Sequence, residues 1–178
     1  MTRIRGRSAA LALLLLLVPL AARAADLKAG DPAPDFALQS SAGRTVRFTD
    51  YAGKKAFVLA WFPKAFTGGC TEELGSLRDA QAELAKYDVD VFMVSMDPPE
   101  KNADFAKSQK AQLVLLSDPK GEVAASYGVA ALGGMYAKRW TFYVDKDGTV
   151  QYVDREVKTA TAGKDIAAKL GELGFARH

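Results

Sequence analysis

The sequence predicts an α/β fold in which a central mixed β-sheet is flanked by helices. Three observations lead there. Lys55–Phe62 and Val89–Met96 are strand-length runs that stay apolar instead of alternating, the pattern of strands buried on both faces. Between them, from Cys70 to Lys86, Leu74, Leu77 and Leu84 with Ala80, Ala82 and Ala85 form one apolar stripe of a helix whose other face is charged. Late in the chain, the β-rich runs Arg139–Val144 and Thr149–Val153 flank Asp145-Lys146-Asp147-Gly148 and read as a hairpin.

The other elements follow in order. Gly30–Phe36 is an extended leading segment, because its prolines exclude helix, and a turn at Ser40–Gly43 and a short strand at Thr45–Phe48 come next. Pro63 ends the first buried run. Pro98-Pro99-Glu100 opens a helix that reaches Lys110, Leu113–Leu116 is a third strand, and Pro119–Tyr127 is a short helix with proline near its first turn. Thr161–Leu173 closes the chain as a helix. With 178 residues, 49% of them hydrophobic, the chain can bury one ordinary core, and no repeat or linker divides residues 25–178.

Residues 1–24 have a different character. Arg3, Arg5 and Arg7 precede an unbroken apolar run, Ala9–Val18, and Ala22-Arg23-Ala24 fits a small-x-small cleavage site, so the segment reads as a secretory signal peptide. The alternative is an uncleaved anchor, but the run is short of the roughly 20 residues of a span and Pro19 interrupts it. Cleavage removes four of the 24 basic residues and none of the 21 acidic ones, which turns a net charge of +3 into −1. The basic balance of the whole chain therefore implies no nucleic-acid partner and no stable membrane association after cleavage. The Ala/Leu-rich signal, without a cysteine near its cleavage site, predicts an exported, periplasmic protein.

Cys70 is the only cysteine, so no intramolecular disulfide can form. In an oxidising compartment a lone thiol is buried and inert, paired with another chain, or chemically used. This one follows Phe62-Pro63-Lys64-Ala65-Phe66-Thr67-Gly68-Gly69, between the end of a buried strand and the start of a helix, where α/β folds place ligands. In a first helical turn the sulfur meets unpaired N–H groups and the positive end of the helix dipole, which favour the nucleophilic thiolate. Gly68 and Gly69 allow close backbone approach, and Thr67 offers a hydroxyl, which suits a small oxygen-bearing substrate. Singly, these features have plainer readings: glycines that make a tight turn and a threonine that caps a helix.

Together, Pro63, Thr67 and Cys70 spell Pro-x-x-x-Thr-x-x-Cys, which resembles the active-site pattern of the peroxiredoxins of the AhpC/TSA type. Phe62 to Thr71 followed by Leu77-Arg78-Asp79 is most similar to the bacterioferritin-comigratory, or Q-type, branch. The resemblance extends over Gly30–Phe36, Asp97, Ser117-Asp118, Tyr127-Gly128-Val129 and Arg139–Gly148. It implies a thioredoxin-like fold and a thiol-dependent peroxidase in which hydrogen peroxide or an alkyl hydroperoxide oxidises Cys70 to a sulfenic acid. It also implies that Thr67 bonds the peroxide and the sulfur, that Pro63 shields the sulfur from water, and that Gly69 belongs to the substrate-binding loop. Arg139 would supply the positive charge at the sulfur. Glu73 either holds an arginine in place or is there because the helix dipole favours an acid in a first turn.

Two positions depart from that pattern. Gly68 stands where many members of the branch have proline, and Gly75 where many have a resolving cysteine. The resemblance then implies a one-cysteine enzyme, monomer or homodimer, that is reduced by an external thiol such as a thioredoxin-like protein or glutathione. No cofactor or metal is expected: the sole histidine, His178, is terminal, where chains are commonly disordered, and no set of ligands has metal-site spacing. Trp61, Trp140, Phe142 and Tyr143 are expected in the core, and Met135 and Tyr136 at the substrate mouth. Two other classes compete. A thioredoxin-fold disulfide oxidoreductase lacks its Cys-x-x-Cys pair, and a non-catalytic binding module stays open because Gly75 replaces the usual cysteine.

Overall fold

The computed structural model describes residues 26–178, so the signal-peptide reading of residues 1–24 lies outside the described residues. The elements are β1 (Ala37–Ser40), β2 (Thr45–Arg47), β3 (Ala56–Trp61), α1 (Gly68–Asp79), α2 (Gln81–Leu84), β4 (Val89–Ser95) and α3 (Pro99–Ser108). They continue with β5 (Val114–Ser117), α4 (Glu122–Ser126), β6 (Ala130–Ala131), β7 (Tyr136–Ala137), β8 (Thr141–Val144), β9 (Val150–Asp154) and α5 (Ala162–Glu172).

The continuously apolar runs become the centre of one sheet, ordered β2-β1-β5-β4-β3-β8-β9. β3 pairs in parallel with β4, and β4 with β5, while β1, β2, β8 and β9 add antiparallel edges. This is the predicted mixed sheet of a thioredoxin-like fold. All six β3 residues are buried, and alternate ones serve opposite faces. Val58 and Ala60 pack under α1, α3 and α5, whereas Phe57, Leu59 and Trp61 pack under α4 and the leading segment.

α5 comes unusually close to α1. A Cβ at Gly163 would lie 2.3 Å from the Ser76 carbonyl oxygen and 2.6 Å from the Ala80 Cβ, and the Gly163 N–H donates to Ser76 Oγ at 3.1 Å. The hairpin turn forms as its residues require: Asp145 Oδ1 accepts from the N–H groups of Asp147 and Thr149, both at 2.9 Å, and Gly148 has φ +83°.

Several expectations need correction. The helix expected over Cys70–Lys86 begins at Gly68 and breaks at Ala80 (φ −90°, ψ 3°), where α5 packs against it, a tertiary contact with no local signal. Ser40 belongs to a strand, not a turn, because β1 finds partners in β2 and β5. The helix expected over Pro119–Tyr127 shrinks to α4, since Gly121 is left-handed (φ 70°) and the Asp118 carboxylate accepts from Ala124 N at 2.7 Å. The chain end is tied down: Asp88 N donates to Ala176 O at 2.9 Å and His178 N to Lys86 O at 3.1 Å. The short β6–β7 ribbon carries no sequence signal strong enough to predict it.

Candidate active site

β3 delivers the loop. Phe62 N donates to Val94 O at 2.9 Å, holding the chain on the sheet, and the chain then turns away through half-buried Pro63 and buried Ala65. Phe66 has φ +67°, a left-handed conformation that costs a bulky residue about 1–3 kcal/mol. Thr67 follows in extended geometry (φ −91°, ψ 154°), and its carbonyl accepts the Thr71 N–H at 2.9 Å, which starts α1. The Thr67 hydroxyl makes no cap; it donates to Lys64 O at 3.0 Å, so the helix-capping reading of this residue does not hold. Cys70 is the third residue of α1, in its first turn, and is fully buried.

Arg139 reaches this turn although it lies 69 residues away in sequence. The reason is strand pairing. β8 runs antiparallel to β3 with Ala60 opposite Thr141, and Trp61 N donates to Trp140 O at 2.8 Å, so the residues before β8 meet the end of β3. On the other side, Lys138 N donates to Val129 O at 2.7 Å. From this pinned backbone, Arg139 Nη2 donates to Cys70 Sγ at 3.3 Å and Nη1 pairs with Glu73 Oε2. Gly69 lies against the guanidinium: a Cβ there would touch Arg139 Nη2 at 3.4 Å, an ordinary contact.

Glu73 is fully buried and lies beyond the first turn, because α1 starts two residues earlier than expected. The helix-dipole explanation therefore fails and the arginine-holding one stands. Burial pushes the Glu73 carboxyl up to about 7, against the pull of the Arg139 guanidinium, and the charge of Asp154 adds to the rise. Among the described residues its Oε1 has no hydrogen-bond partner. Burial works to lower Arg139, but Glu73 and the Cys70 sulfur outweigh it and hold the guanidinium above its ordinary value. The result is a buried sulfur with one cationic donor against it and a carboxylate behind that donor. Such an arrangement stabilises negative charge on the sulfur and on an oxygen brought beside it.

The sequence model of the AhpC/TSA family matches residues 29–153. The chain belongs to the AhpC/TSA family. Peroxiredoxin Bcp of Escherichia coli (strain K12) is 39% identical over 140 residues, 75% of this chain and 89% of that protein. Alkyl hydroperoxide reductase E of Mycobacterium bovis is 36% identical over 130 residues, 72% of this chain and 85% of that protein. Among solved structures, peroxidoxin BcpB from Mycobacterium tuberculosis superposes with a TM-score of 0.73 at 35% identity, covering 83% of this chain and 96% of that one. Xanthomonas campestris peroxiredoxin Q gives 0.71 at 25% identity, covering 77% and 90%. This peroxiredoxin is thus a thiol-dependent peroxidase enzyme of the bacterioferritin-comigratory branch, without a resolving cysteine.

Cys70, Arg139, Glu73 and Gly69 of this peroxiredoxin come together in one cluster, and Thr67 and Pro63 line the loop that leads into it. Met135, 79% exposed, and half-buried Tyr136 lie on the stretch that runs into Arg139. His178 sits at the other end of β4, bonded to Lys86. Trp140, expected in the core, is only half-buried at the edge of it, and its ring carries Lys138 Nζ at 4.4 Å and the Arg155 guanidinium at 4.7 Å, one position after Arg139.

Proposed function

We propose that this peroxiredoxin runs a one-cysteine cycle on hydrogen peroxide and alkyl hydroperoxides. One observation carries the reading: Arg139 donates to Cys70 Sγ at 3.3 Å while buried Glu73 occupies its other nitrogen. The Cys70 thiolate attacks one peroxide oxygen as the O–O bond breaks. That oxygen stays on sulfur as a sulfenic acid, and the other leaves, protonated, as water or an alcohol. Arg139 stabilises the charge that passes from sulfur to the departing oxygen. Thr67 bonds the peroxide, Pro63 limits water at the sulfur, and Gly69 leaves room for the substrate beside Arg139.

The return half of the cycle needs two electrons from outside, since the chain has one cysteine. One external thiol displaces water from the sulfenic acid to give a mixed disulfide, and a second thiol frees Cys70 and leaves as the donor disulfide. A thioredoxin-like dithiol protein or glutathione supplies these thiols. The positive start, apolar run and small-x-small site of residues 1–24 support export of the domain 25–178 to the periplasm.

Stopped-flow mixing of the reduced protein, expressed with its full sequence, with one equivalent of peroxide tests the cycle. The expected result is rapid peroxide loss, a trappable sulfenic acid on Cys70, no reaction in Cys70→Ser, and an intact mass lacking residues 1–24. A Cys70 that reacts no faster than free cysteine overturns the peroxidase cycle and favours a binding module; retention of residues 1–24 overturns the export reading alone.

A further inference from the structure

The loop Pro63–Thr67 is held by one short stretch of chain, the end of β4 and the start of α3. Ala65 N donates to Asp97 Oδ2 at 2.7 Å, a bond between residues 32 apart. Asp97 is only 8% exposed and its carboxylate is engaged on both oxygens. Oδ1 accepts from Lys101 Nζ at 2.6 Å, and Oδ2 also accepts from Ser95 Oγ at 3.3 Å. Ser95 is fixed in turn by fully buried Asn102, whose Nδ2 meets Ser95 Oγ at 3.1 Å and Ser117 Oγ at 2.8 Å. Phe105, one turn beyond Lys101 on α3, packs against Phe66 with 5.1 Å between ring centroids and against Phe62 with 6.0 Å.

These contacts grip the loop on both sides of its strained residue. Phe66 is left-handed and its ring is 54% exposed, so local preference alone would not keep it there. Asp97 holds the residue before it, Phe105 holds its ring, and the residue after it starts the helix that carries Cys70. A charge-assisted bond at Ala65 is a strong one, and it fixes the point from which α1 departs. In the sequence Asp97 stands only within the family resemblance, and nothing local marks it for a task.

We propose that Asp97 is a positioning residue of the peroxidase reaction: by holding the Ala65 N–H it keeps the loop in its left-handed turn and Cys70 closed against Arg139. Loss of the carboxylate slows the reaction with peroxide and opens the sulfur to bulkier reagents. The inference rests on Cys70 being the peroxide-reacting thiol.

Wild type, Asp97→Asn and Asp97→Ala are compared at one temperature well below unfolding. Two rates are read on the reduced protein, oxidation by hydrogen peroxide and alkylation of Cys70 by iodoacetamide, with thermal unfolding as a third measurement. Asp97→Ala is expected to slow oxidation by about tenfold to a hundredfold, as ångström-scale misplacement of a reacting atom does, while the ratio of alkylation to oxidation rises. Asp97→Asn, which keeps an acceptor but loses its charge, is expected to fall between the two. A role confined to folding lowers the unfolding temperature and leaves both rates unchanged, and that result overturns the proposal. So does an Asp97→Asn protein indistinguishable from wild type if Asp97→Ala does not fold. A wild type that fails to consume peroxide overturns the one-cysteine cycle instead, which keeps the two failures apart.

Discussion

The two faces of the sheet are built from alternate residues of the same strands and serve different ends. On one face Phe57 meets Tyr51 at 5.4 Å and Phe36 at 5.7 Å, both edge-on, and Tyr127 meets Phe142 in the same way at 5.1 Å. Such contacts add to an already large apolar burial. On the other face Val58, Ala60 and Phe62 share their core with Cys70, and buried Glu73, paired with half-buried Arg139, stands beside them. An ion pair in that position, with one carboxylate oxygen unpartnered, is a poor way to stabilise a fold. The difference teaches that the aromatic face secures the sheet, and that the opposite face can therefore carry charge for chemistry.

That division can be broken from either side. The largest effect is expected from Phe57→Ala, which empties the aromatic face: about 3–5 kcal/mol of stability is lost in urea unfolding, with the peroxide rate of the folded fraction unchanged. A rate that falls along with stability would show that the faces are not independent. Arg139→Ala, made in a Glu73→Gln background so that no buried carboxylate is left unpaired, is expected to do the reverse: peroxide consumption slows by about a hundredfold relative to Glu73→Gln alone, or about 2.7 kcal/mol of barrier, with little change in unfolding. Equal losses of rate and stability would sink the separation.

The third test, at Glu73, is read as a dependence on pH. Its folded-state value, about 7, lies above its ordinary 4.5, so the folded protein holds an extra proton between those limits. Stability from this group is present below about pH 4.5 and falls as pH rises to about 7. Glu73→Gln removes the effect. The stability difference, wild type minus variant, is expected to decline across that window, and a flat or rising difference would refute the assignment.

What the sequence reveals about this molecule follows the range of the interactions. β3 and β4 are legible because a strand buried on both faces must be apolar throughout, and α1 because its stripe has helical spacing. Cys70 stands out as the sole thiol behind a glycine pair, and the Pro63-Thr67-Cys70 spacing brings Arg139 with it by resemblance. What stays illegible depends on distant partners. β1 is a strand because β5 lies beside it, α1 stops where α5 arrives, and Glu73 is buried because β8 brings Arg139 to it. The bond from Ala65 to Asp97 leaves no local mark at either residue.

The contact at Gly163 reaches further than its position suggests. One helix rests on another through a single hydrogen atom, for a Cβ there would collide with the Ser76 carbonyl and with Ala80. At the opposite end of α1, Gly68 has nothing within 4 Å of where its side chain would stand. A side chain thus finds open space at Gly68, two residues before the sulfur, and none at Gly163, far from it. A survey of tolerated changes along α5 would find Gly163 closed by backbone to anything larger than glycine, and Gly171, where a Cβ would lie 2.8 Å from Tyr87 Oη, open only if that side chain gives way.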